Sequence, residues 1–185
     1  MKQKNLRKWN YKVFLVSNSL GYFAGGLIGP FYVLFLQEIG GTIENFGIAV
    51  GILLLAESLT SYFVGKYSDK LGRKPFLIAS GFFSSLILFL YTLVSSLYQL
   101  FILQIANGIN EAVWKTTETT FLGDITKKVS RGAQIGKYRA IIGVFTGLAI
   151  IIGGKIVGKF GFSLMFYATV LIIALSTSIL FLIKE

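Results

Sequence analysis

Apolar residues run in six long blocks separated by short polar stretches. The blocks are Tyr11 to Leu36, Asn45 to Val64, Pro75 to Val94, Leu97 to Leu122, Ile135 to Val157 and Phe162 to Ile183. Each has close to the 20 or so residues that an α-helix needs to cross a hydrocarbon core about 30 Å thick. Lipid offers backbone N–H and C=O groups no partner, so a block of that length satisfies its own hydrogen bonds as a helix. The pattern predicts an all-α membrane protein, with six transmembrane helices in a single domain over residues 1–185. The first block follows a basic start, as the core of a signal peptide does, but it is too long for one and five more blocks follow.

Composition agrees with a membrane class. Hydrophobic residues make up 54% of the chain and charged residues 14%, against about 25% charged in a soluble domain. Cys and His are both absent. That removes disulfides, thiolate chemistry and the commonest general base and metal ligand. With no glycine-rich phosphate loop and no paired intramembrane aspartates either, the chain is expected to be no enzyme and to bind no metal or organic cofactor.

The net charge of +10 would suit a nucleic-acid partner, but its placement points to topology instead. Lys2, Lys4, Arg7, Lys8 and Lys12 precede the first block, and Lys66, Lys70, Arg73 and Lys74 follow the second. Lys127, Lys128, Arg131, Lys137 and Arg139 follow the fourth, and Lys184 ends the last. The alternate connections hold Glu38 and Glu44, the uncharged pair Ser95 and Ser96, and Lys155 and Lys159. Fifteen of the eighteen basic residues thus fall on one side, which predicts both termini in the cytoplasm and a multi-pass protein of the cell membrane. Lys155 and Lys159 dissent mildly; their long stems let them snorkel to outer headgroups.

The fourth block carries the sharpest chemistry. Gln104, Asn107, Glu111, Lys115 and Glu118 step by 3, 4, 4 and 3 positions, which places them on one helical face. Charges at membrane depth are costly unless they face protein or water, so such a stripe marks a solute pathway by default. Internal pairing is the alternative: Glu111, Lys115 and Glu118 are about one turn apart and can neutralise each other structurally. Glu57, alone in the second block, either pairs with Lys115 across helices or stays protonated as an ion or proton site. In the first block Asn18 and Tyr22 share a face with Gly25 and Gly29; they either supply cavity hydrogen bonds or, with Gly26 and Pro30, mark packing and kink positions. Spacing favours packing for Trp114.

Between the second and third blocks stands Gly65-Lys66-Tyr67-Ser68-Asp69-Lys70-Leu71-Gly72-Arg73-Lys74-Pro75. This run resembles the signature loop of the major facilitator superfamily of secondary transporters, in which Gly, Asp, a basic residue, Gly and two more basic residues recur at this spacing. After the fourth block, Asp124, Arg131 and Gly132 resemble the acid and arginine that the family places there. Gly153-Gly154, then Gly161-Phe162 and Phe166, resemble its double glycine and aromatic turn into a sixth helix.

The resemblance covers nearly the whole chain as an amino-terminal six-helix half. It implies gradient-driven transport of a small solute by alternating access, with helices one and four lining the cavity. It also implies that Gly65, Asp69, Gly72, Arg73, Asp124 and Arg131 latch the cytoplasmic side. Gly65 is expected to permit close helix approach and Gly72 the tight turn.

Two departures bear on coupling. Gln104 stands where proton-coupled members often have an Arg four residues before the Gly at position 108, which argues against that route of proton transfer. Ala149 and Ile150 replace the Gly-Pro pair of many antiporters. Family members usually hold substrate between two such halves. The expected partners are therefore the bilayer, a small solute, and a second six-helix half or another copy of this chain, with no nucleic acid. A homodimer, separately encoded halves and a truncated reading frame stay open, as does a membrane interaction protein that associates with another transporter without transporting.

Overall fold

The computed structural model describes residues 2–184; the side chains of Lys2 and Lys4, counted above among the inside charges, lie outside what it describes. The described chain is helical almost throughout. It comprises α1 (Lys2–Ile28), a 3-10 turn at Gly29–Phe31, α2 (Tyr32–Glu38), α3 (Ile43–Leu71), α4 (Lys74–Tyr91), α5 (Leu97–Ile125) and α6 (Arg131–Ile179). Further 3-10 turns occupy Lys128–Ser130 and Leu180–Leu182.

Local chemistry explains most boundaries. Pro30 opens the 3-10 turn that separates α1 from α2, so the first apolar block is a helix with a break at Gly29-Pro30. Thr42 and Asn45 form a reciprocal capping box at the start of α3, satisfying amides that would otherwise lack partners. Ser96 caps α5 through the Gln99 amide. Pro75 sits in the first turn of α4, where its missing N–H costs nothing.

Several boundaries differ from the sequence reading: α1 starts at Lys2 rather than Tyr11, α4 ends at Tyr91 rather than Val94, and α5 runs on to Ile125. α3 extends to Leu71, past Val64, because its last two turns leave the apolar zone yet keep their helical bonds. The fifth and sixth blocks form one helical run, Arg131–Ile179, broken at Gly161 with φ 74° and ψ −177°. At 1.5 Å per residue an unbroken helix of that length would be about 74 Å long, far beyond any bilayer. The break gives two arms, 131–160 and 162–179, with no intervening loop.

By length and composition, four stretches are long and apolar enough to cross a membrane: Asn5–Glu38, Ile43–Leu71, Lys74–Tyr91 and Lys128–Leu182. The last contains both arms of α6. α5 is as long as α3, but its polar stripe lowers its hydropathy.

α1 packs along α6 and α3 along α5, while α4 lies against both α5 and α6. Small residues set the α1–α6 crossing. A Cβ at Gly153 would stand 2.5 Å from the Leu27 carbonyl oxygen, and one at Gly154 3.3 Å from the Phe31 ring. Ser17 and Ser176 each donate to the other's carbonyl at 2.7 Å.

Two apolar clusters fill the ends of the bundle. One joins Leu27, Phe35, Leu36, Tyr91, Phe162 and Phe166; the other joins Phe14, Leu77, Phe121, Ile125, Tyr138 and Leu180. The polar side chains of α1 and α5 form a belt between them.

Candidate functional site

The stripe on α5 stays on one face, but its five residues enter three different environments. At the centre, Lys115 Nζ lies 2.9 Å from Glu57 Oε2 on α3 and 3.3 Å from Glu111 Oε2 one turn back. One ammonium thus faces two carboxylates. The Lys115 side chain keeps 51% of its surface accessible, whereas Glu57 keeps 17%. Glu57 is an anchor set into the α3–α5 contact, and Lys115 is its exposed end.

Three clefts meet around this cluster. One of about 380 Å³ is lined by Gly25, Tyr32, Asn107, Glu111 and Phe166, among others. A second, about 200 Å³, is bounded by Tyr22, Glu111, Trp114 and Lys115. A third, about 750 Å³, runs past Lys115, Glu118, Tyr138 and Arg139. Glu111 borders the first two and Lys115 the last two. Trp114 both lines a cleft and packs on the apolar cluster around Phe14.

Glu118 does not join Lys115. It is buried, and its two oxygens accept separate phenol protons: Tyr22 donates to Oε2 at 2.7 Å and Tyr138 to Oε1 at 2.6 Å. Asn18 Nδ2 donates in turn to the Tyr138 hydroxyl oxygen. Because that oxygen accepts from Asn18, its own proton is committed to Glu118. The carboxylate therefore ties α1, α5 and the first arm of α6 together at one point.

Gln104 is buried as well, between Tyr32, whose hydroxyl accepts from Nε2 at 2.5 Å, and Tyr91, which donates to Oε1 at 3.0 Å. Tyr91 stacks on Phe166, and Phe35 meets both rings edge-on. Gln104 holds this aromatic wall rather than pointing freely into the cleft.

At the end of the bundle that gathers the basic loops, Gly72 turns the chain with φ 86°. Arg73 then spans two helices. Its NH2 group donates to Asp69 Oδ1 at 2.9 Å, and Nε lies 2.9 Å from Asp124 Oδ2 as a charge contact without a hydrogen bond. Arg131 does not pair with Asp124; it donates to the Gly123 carbonyl at 2.8 Å, satisfying an end of α5. Gly65 is not the close approach of α3 and α5 that its motif suggests, since a Cβ there would meet Thr116 at an ordinary 3.8 Å. The tight crossing is at Gly108, whose added Cβ would collide with the Leu53 carbonyl.

Sequence reasoning missed Tyr138, which lies in the predicted fifth span without a periodic polar partner. It also missed Asn110, which donates to Ser84 at 2.7 Å and receives Ser80 on its carbonyl.

The family model for the Major Facilitator Superfamily matches residues 14–185. The uncharacterized MFS-type transporter YitZ of Bacillus subtilis is 30% identical over 84% of this chain and 94% of its own length. Multidrug resistance protein 2 of the same organism is 28% identical over 94% of this chain but only 44% of its own. A crystal structure of a mutant peptide transporter POT in complex with alafosfalin superposes with a TM-score of 0.63 at 17% identity, covering 96% of this chain and 38% of that one. The chain therefore spans less than half the length of the last two.

Proposed function

The chain belongs to the major facilitator superfamily, and from that premise we propose that it forms one wall of a secondary transporter, moving a small polar solute by gradient-driven alternating access. In this reading α1 with α2, α3, α4, α5 and the two arms of α6 give six spans. Both termini face the cytoplasm and the bundle sits in the cell membrane. The opposing wall is a second six-helix half or another copy of this chain.

The observation that carries the reading is the Glu57–Lys115–Glu111 cluster, three charges midway along α3 and α5 beside open clefts. A purely structural pair is best kept dry and closed, whereas an ammonium half exposed to a cleft is placed to exchange a carboxylate partner for a solute. Tyr22, Asn107, Glu111 and Lys115 are the solute-facing set, whereas the fully buried Asn18 braces the wall through Tyr138. Gln104 and Glu118 hold the wall, and Glu57 positions Lys115. Asp69, Arg73 and Asp124, with Gly72 making the turn between them, form the cytoplasmic latch, while Gly65 and Arg131 stand outside its contacts. The printed name of Multidrug resistance protein 2 puts drug-like compounds among the solutes to screen.

The test is solute flux in proteoliposomes under imposed proton and sodium gradients, with subunit state read by native mass spectrometry. Lys115→Gln is expected to lower flux at least about tenfold, and Lys159→Gln to leave it unchanged. Glu57→Gln leaving flux and its pH dependence intact would remove Glu57 as a proton site. A monomer with no flux under either gradient would replace transport by this chain with the interaction-protein reading.

A further inference from the structure

We propose that the groove between the first turns of α1 and α6 is a binding site for the phosphate headgroup of an anionic phospholipid. The groove has a volume of about 650 Å³ and shares no lining residue with the clefts around Lys115. Arg7, Lys8 and Lys12 line it from α1, Lys127 from the segment after α5, and Lys137 from α6. Those five cations are exposed, none makes a salt bridge among the described residues, and no carboxylate lines the groove. Asp124, the acid nearest in sequence, is already engaged by Arg73.

The groove is a fixed junction: the Tyr11 hydroxyl donates to the Gln134 carbonyl at 3.0 Å, clamping α1 to α6 at its base. Five like charges lining one groove beside no carboxylate give it a positive potential that favours an anion. Its other lining residues choose among anions. Leu15, Ile125 and Ile141 continue the groove toward the bundle's apolar zone, providing a track for an acyl chain beneath a phosphate. A soluble phosphate would leave that track uncovered. Basic pockets between helices at the membrane surface bind anionic headgroups by this combination of charge and apolar contact. The opposite end of the bundle, with Lys155, Lys159, Glu38 and Glu44, has no equivalent concentration of charge.

Native mass spectrometry of the purified chain in mild detergent tests this with phosphatidylglycerol, phosphatidylcholine and inorganic phosphate as probes. The wild-type chain is expected to retain phosphatidylglycerol over phosphatidylcholine at equal mole fraction. Lys12→Gln combined with Lys137→Gln should cut that retention about tenfold or more, whereas Lys155→Gln combined with Lys159→Gln should preserve it. Thermal unfolding of each variant checks the fold, and Lys8→Gln alone, at an exposed position, serves as a milder probe of the same groove.

Equal retention of the two lipids, or loss of selectivity only in the Lys155 and Lys159 variant, overturns the site. Retention of phosphatidylglycerol unchanged by every groove substitution overturns it too. Binding of inorganic phosphate that displaces the lipid at millimolar concentration assigns the groove to a soluble anion and overturns the lipid.

Discussion

Two glycines on facing helices have opposite roles, which their motifs do not reveal. Gly65 belongs to the signature loop, yet a methyl there fits against Thr116. Gly65→Ala is therefore expected to leave the melting temperature in detergent unchanged or slightly raised. Gly108 has no room, because the Leu53 carbonyl and the Ala56 methyl occupy the space a side chain would need. Gly108→Ala should destabilise by about 1–3 kcal/mol, the usual cost of overpacking, read as a lower melting temperature.

The same contrast explains Tyr138. Its value is invisible in spacing because its partners, Asn18 and Glu118, come from two other helices. Tyr138→Phe preserves the ring but leaves the Asn18 amide and one Glu118 oxygen without it. A loss of about 1–3 kcal/mol is expected. Glu118 was legible as a stripe residue because helical period is local; its distance from Lys115 was not, because rotamers follow tertiary neighbours.

At the scale of elements, the sequence was most informative where physics is local. Hydropathy placed the apolar blocks, and Gly29-Pro30, open in the sequence to packing or a kink, is the break after α1; the Ser96 cap of α5 emerges only in the structure. The join between the fifth and sixth blocks was read less well, since Lys155 and Lys159 resemble a loop while their backbone remains helical. A single residue makes the turn. Gly161 has φ 74° and open space around its missing Cβ, so the cost of a side chain there is conformational rather than steric. Gly161→Ala and Gly161→Asn should each cost about 1–3 kcal/mol, because φ 74° with ψ −177° is a backbone conformation open essentially only to Gly. Equal melting temperatures for wild type and the alanine variant would show that the break tolerates a helical residue. Straightening this hinge would also pull Phe162 and Phe166 from the aromatic wall that holds Gln104.

For the whole molecule, the basic loops converge on one end, where Trp9 and Asn10 hydrogen-bond the backbone at Leu182 and Lys184, and Lys74 reaches the Ile183 carbonyl. The chain contains no Cys, so single cysteines can report which side each end faces. Ser95→Cys should react with a membrane-impermeant maleimide on intact cells, and Lys128→Cys only after permeabilisation; the reverse pattern would invert the proposed orientation. The same chemistry addresses the latch. Arg73 spans Asp69 and Asp124 with two different nitrogens, a geometry that the single ammonium of Arg73→Lys does not reproduce. Because both carboxylates are more than half exposed, the substitution should change stability by under about 1 kcal/mol. A conformational equilibrium is more sensitive than a melting curve, since about 1 kcal/mol shifts a two-state ratio roughly fivefold. If the proposed transporter assembles, weakening the proposed cytoplasmic latch favours its inward-open state. Labelling of Asn107→Cys from outside should then slow several-fold when Arg73→Lys is added. An unchanged rate would mean that the Arg73 contacts brace the loop without biasing access to the cleft.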